Sequence, residues 1–172
     1  MKNKERGSSL IEFTLVGIPL IFLLISTVEM ARGMWIYHTL AYAIREGTRF
    51  VAVKGQGCAT SPSSCAVTVG RIAEEIRRAG IGLDPNALSG VTFKALSGRT
   101  ITCATLQDCL SDGTQWPSSA GAPDPGAAQG AEIEITATYP FRSALSMLWP
   151  GAGKVKFGTF SFPVSSREAI QF

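Results

Sequence analysis

Histidine is nearly missing from this chain: among 172 residues there is one, His38. A Ser-His-acid hydrolase would have to be built on that residue, which lies in a helical stretch rather than in a loop over a sheet. Charge is scarce as well, at 17% of residues, with a net charge of +3 and the basic residues spread out. A nucleic-acid footprint is therefore lacking. The chain also lacks a phosphate-cradling glycine motif, and its carboxylates show no spacing that singles out an acid and a base. Cysteine is limited to four residues, Cys58 and Cys65 close together and Cys103 and Cys109 likewise. Neither pair has the tight spacing of a zinc ribbon, and His38 is far from both. An even count suits disulfides in an oxidising compartment; four cysteines allow three connectivities, and local pairing is the preferred one. These absences read as a protein that is not an enzyme, with no cofactor and no metal.

Polarity is most conspicuously missing between residues 10 and 28. After a leader containing Lys2, Lys4 and Arg6, that run holds a single charge, Glu12. At 1.5 Å per residue it makes roughly 29 Å of helix, enough to cross the hydrocarbon of a bilayer. A charge in such a segment costs about 2.5–3.5 kcal/mol at the centre and less near an end, so Glu12 requires a reason. Pro19 is compatible with a membrane helix. The three basic residues before the span, against Arg32 and Arg45 after it, place the N-terminus in the cytoplasm and the body outside.

The helical pattern continues to about residue 54. Met30, Met34, Tyr37, Ala41, Ile44, Thr48 and Val51 recur at alternating spacings of four and three, a single stripe for helix packing. One helix of roughly 65–70 Å follows, half in the membrane and half beyond it. Gly33 and Gly47 would let another helix come close.

Beyond residue 54, residues 55–66 are loop by composition, which a Cys58–Cys65 bridge would staple. Residues 67–79 read as a helix with Val69, Ile72, Ala73 and Ile76 on one face, Gly80 as its cap and Glu74 four residues before Arg78. Residues 91–95 alternate as a strand, and residues 101–110 read either as a second strand or as a Cys103–Cys109 loop. Residues 116–130, rich in Pro, Gly, Ala and Ser, read as an exposed loop. Ile133, Ile135, Ala137 and Tyr139 alternate with polar residues as the clearest strand, and residues 154–162 read as the last, with a bulge near Gly158. The fold class is α+β: a long N-terminal helix packed on a small antiparallel sheet.

Gly7 before the apolar run, a basic leader ahead of it and Glu12 five places on resemble the processing site of type IV prepilins. The resemblance implies cleavage between Gly7 and Ser8 by a prepilin peptidase, leaving Ser8 as the new N-terminus and Glu12 as the fifth residue. The run Arg45-Glu46-Gly47-Thr48-Arg49 then resembles the TadE-like family of the tight-adherence (Flp) pilus systems. That similarity implies a pilin-like fold and a minor pilin or pseudopilin, with other pilin and pseudopilin subunits, the prepilin peptidase and the pilus assembly platform as partners. It divides the chain into a leader at 1–7, a transmembrane helix at 8–28, its periplasmic continuation at 29–54 and a periplasmic domain at 55–172. Three alternatives stand beside it: an uncleaved single-pass inner-membrane protein whose periplasmic domain docks pilus or secretion components, a secretory signal peptide, and receptor binding by the loop at 116–130.

Overall fold

The computed structural model describes residues 5–54, 67–95, 99–117, 130–144 and 159–171, with side chains from residue 10 onward. The elements in order are α1 (Glu5–Lys54), α2 (Val69–Ala79), β1 (Ser89–Ala95), β2 (Thr100–Thr105), α3 (Leu106–Leu110), β3 (Glu132–Arg142) and β4 (Thr159–Ala169). The chain divides into two compact units, Met1–Trp35 and Ile36–Phe172. Among the described residues the first unit consists of α1 as far as Trp35. The α+β class is as the sequence indicates: a long N-terminal helix and a four-stranded antiparallel sheet.

In the second unit the sheet order is β2-β1-β3-β4, each pair antiparallel. Alternation decides its faces. Val91, Phe93, Ala95, Ile133, Ile135 and Ala137 are buried on one side, while Lys94 and Thr102 are exposed and Glu134 and Thr136 half-exposed on the other. Onto the buried side pack Leu40, Ala43, Ile44, Val51 and Ala52 of α1 and Val69, Ile72, Ala73 and Ile76 of α2, forming one core. The apolar positions read from the sequence for α2 are therefore its buried ones. At its other end the Gly80 N–H bonds the Ile76 carbonyl at 2.9 Å, closing the last turn.

Several local expectations change. The α2 ion pairs are Glu74–Arg77 and Glu75–Arg78, three residues apart rather than Glu74 to Arg78, because the shorter spacing lets Arg77 meet Glu74 through two hydrogen bonds of 2.6 and 2.7 Å. Residues 101–110 are both of the alternatives: β2 carries Cys103, α3 carries Cys109, and a disulfide joins them across a Cα separation of 5.7 Å. The Thr105–Asp108 capping box starts α3 where the strand stops. Strand β3 runs past Pro140 to Arg142. That is allowed because β1 pairs with β3 only as far as Thr138, so the side of Pro140 away from its partner Ser161 needs no N–H. Strand β4 is described from Thr159 and extends to Ala169, seven residues beyond the expected end at 162.

Trp116 is not part of an exposed loop. It is 1% exposed, its indole N–H donates to the Arg99 carbonyl at 3.1 Å, and its ring meets Phe93 edge-on at 5.7 Å. Cys58, Cys65 and the Gly158 bulge lie outside the described residues.

Candidate functional site

The residues singled out by the sequence fall on both units, and each unit is taken by itself. Along the first, α1 is apolar and uncovered. Leu10, Phe13, Leu15, Ile21, Leu24 and Val28 are each more than half exposed. Among the described side chains its hydroxyls do not remain unpartnered: Thr14 donates to the Ile11 carbonyl at 2.9 Å, Ser26 to Phe22 at 2.8 Å and Thr27 to Leu24 at 2.8 Å. Hydroxyls bonded back to their own helix present carbon rather than unsatisfied polar groups to the surroundings, the condition for a helix in hydrocarbon. By length and composition this helix can cross a membrane. Pro19 sits inside it without ending it.

Glu12 is exposed on this apolar stretch, one helical turn and a half from Gly7 and Ser8, which lie in the same helix. The next acid, Glu29, is paired with Arg32 at 3.2 Å just past the apolar run. Charge therefore returns as a neutralised pair where the run ends. Met30 and Met34, counted in the packing stripe by their spacing, are 70% and 57% exposed.

In the second unit the stripe resolves into a wider buried face. Ile44, Thr48 and Val51 are fully buried, Ala41 is half-buried, and Tyr37 is 44% exposed with its ring edge-on to Phe162 at 5.9 Å. Leu40, Ala43 and Ala52 complete that face and were not in the stripe. A strict four-three spacing draws a narrow seam, whereas a helix packed on a domain uses about a third of its circumference. Thr48 satisfies its buried hydroxyl on the Ile44 carbonyl at 2.9 Å.

The Arg45–Arg49 run is split by this geometry. Gly47 is buried and faces α2 so closely that a Cβ there would lie 2.5 Å from Cγ1 and 2.9 Å from Cδ1 of Ile76. Only glycine admits this approach. Arg45 and Arg49 are exposed and Glu46 is half-exposed, so the same five residues hold α2 on one side and present two guanidinium groups on the other. His38 is exposed, its ring edge-on to Tyr37 at 5.8 Å.

A shallow groove between α2 and α3 is lined by Arg71, Glu74, Arg77, Gln107 and Asp112 among others. Of these, Glu74, Arg77 and Asp112 are already engaged. The hydrogen bonds from Arg77 hold the Glu74 carboxyl below its ordinary range and raise the guanidinium in turn. The hydroxyl and then the N–H of Thr114, with Arg99 farther off, lower Asp112. Among the described residues no three of His, Cys, Asp and Glu gather to hold a metal ion.

Comparison with known proteins adds one positive finding. Residues 7–49 match the family model described as TadE-like protein. No curated protein and no solved structure matches the chain.

Proposed function

With residues 7–49 a TadE-like segment, which associates the chain with assembly of tight-adherence (Flp) pili, we propose that it is a minor pilin or pseudopilin subunit of that machine. The observation that carries this reading is the extent of the match. It includes Gly7, Ser8 and Glu12 at one end and the Arg45–Arg49 run at the other, all on the single helix α1. The protein is held in a bacterial inner membrane by residues 8–28, N-terminus inward, with its second unit in the periplasm. The Cys103–Cys109 bridge suits that compartment.

The mechanism is mechanical rather than catalytic. A prepilin peptidase cuts after Gly7, and the exposed apolar face of α1 packs beside the helices of other pilin and pseudopilin subunits on the assembly platform. Glu12 then neutralises the new amino group of a neighbour, since in hydrocarbon neither charge has water. The alternative is an uncleaved single-pass protein whose periplasmic unit docks pilus components.

Gly7→Leu and Glu12→Val separate the two roles. The bulkier residue before the scissile bond should leave the leader uncut, whereas Glu12→Val should be cut normally yet fail to co-purify with partner pilins. Its own insertion should be undiminished, because a costly charge has gone. Masses of the membrane-bound variants, with their co-purifying proteins, read both effects. Normal maturation of Gly7→Leu removes the cleaved-pilin reading in favour of the uncleaved one; normal partnering by Glu12→Val removes the charge-pairing step alone.

A further inference from the structure

The second unit has one end at which aromatic side chains gather and are incompletely covered. Tyr37, Phe162 and Phe141 form a chain of ring contacts, Tyr37 to Phe162 at 5.9 Å and Phe162 to Phe141 at 5.7 Å. Phe160, two residues earlier in β4 and on the same face as Phe162, is 61% exposed. Its cross-strand partner is Phe141, and the neighbouring pair is Arg142 with Thr159, where Arg142 is exposed.

Two contacts fix which end this is. Tyr37 of α1 lies beside Phe162 near the start of β4, and the Ala52 carbonyl accepts from the Gln171 N–H just past its finish. Within this unit α1 and β4 therefore run in the same direction. The chain enters the unit at Ile36, one residue before Tyr37. Phe160 lies a further 6–7 Å, roughly, beyond Phe162 towards that point of entry, given the rise of a strand. The exposed ring thus sits at the end of the unit through which the chain arrives from its apolar segment, and not at the far end, where Ala169 stands.

Tyrosine and tryptophan concentrate at the bilayer interface with their amphipathic rings at headgroup level, and phenylalanines on the same surface bury their rings at the headgroup–acyl boundary. From this juxtaposition we propose that the Tyr37–Phe160–Phe162 end of the periplasmic unit is a lipid-contact surface that seats the unit on the membrane from which its helix emerges. The occupant is the headgroup layer of the bilayer. Tyr37 lies on the same helix as the apolar span, and the fold brings Phe162 of β4 against its ring with Phe160 next along that face of the strand, so the three rings stand together at that end. The surface rests on the reading of residues 8–28 as a membrane helix. It restrains the tilt and rotation of the unit before any partner arrives.

The test uses the full chain reconstituted in vesicles of phosphatidylethanolamine and phosphatidylglycerol. Phe160→Cys, Ala169→Cys and Leu24→Cys are each labelled with a small thiol-reactive fluorophore under non-reducing conditions, the unsubstituted chain serving as the labelling blank. Phe160 and Ala169 are exposed positions on one strand, so neither change disturbs the core. Lipid carrying a nitroxide on its headgroup should quench the label at 160 several-fold more strongly than the label at 169. Lipid with a nitroxide midway along its acyl chain should quench the label at Leu24. If 24 is quenched while 160 and 169 respond alike, the seated unit is wrong and the membrane helix stands. If 24 is not quenched, the membrane helix is wrong and the lipid surface falls with it.

Discussion

At the scale of single residues, Gly47 shows how one position serves two demands. Replacing glycine by alanine in a helix interior ordinarily gains about 1 kcal/mol from propensity. Here the added carbon would meet Ile76, a fully buried core residue, at 2.5 Å, so the Ile76 side chain would have to shift. Overpacking of that kind costs about 1–3 kcal/mol, so the close approach should win. Gly47→Ala is expected to lower the melting temperature of the full chain in detergent, followed by circular dichroism. Adding Ile76→Ala should cost less in that background than in the unsubstituted chain, because the clash is relieved. A Gly47→Ala protein as stable as the parent would show that packing against α2 does not require glycine. The sequence marked Gly47 as a place of close helix approach. It could not say that the approaching helix is the chain's own α2, since that contact joins residues almost thirty apart and carries no local periodicity. Trp116 was hidden for a related reason: the Pro- and Gly-rich composition after it describes a loop, while its burial depends on Phe93 and the Arg99 carbonyl.

Among the elements, α2 is the most legible, since its four inward residues follow from a 3.6-residue period alone. Its start is less so. The orphan N–H groups of Val69 and Gly70 are bonded by the carbonyls of Thr114 and Asp112 at 2.9 and 2.8 Å, and that of Arg71 by the Thr68 hydroxyl at 3.3 Å. Gly70 is required there, as a Cβ would lie 2.8 Å from the Leu110 carbonyl oxygen. The loop that follows α3 thus caps α2, and Asp112 holds that loop by accepting from the Thr114 N–H at 2.8 Å. Because the Asp112 carboxyl is lowered in the folded state, its contribution is complete above the unfolded aspartate value of about 3.9 and is lost as pH falls through the folded one. Asp112→Asn should therefore melt earlier than the parent at neutral pH, and the difference should shrink as the solution is acidified below about pH 4. Thermal melts across that range check it; a difference independent of pH would assign the loss to something other than the carboxylate.

For the whole molecule, the long helix, the antiparallel sheet and the α+β class were legible because each rests on a pattern that repeats along the chain. The apolar run of α1 states its own length, and β3 states its own alternation. What the helix buries was legible only in part: Ile44, Thr48 and Val51 lie in the core, while Met30 and Met34 are exposed in the chain alone. Exposed methionines that continue a packing stripe are consistent with a surface for other subunits, and that is the role proposed for α1. Everything in that role depends on a mature helix that begins at Ser8 and carries Glu12 in its fifth position. The direct measurement is the intact mass and N-terminal sequence of the protein isolated from the membranes of its own cells. A chain beginning at Ser8 is the expected result; a membrane-bound chain that still begins at Met1 would contradict the pilin mechanism and leave the uncleaved docking protein in its place.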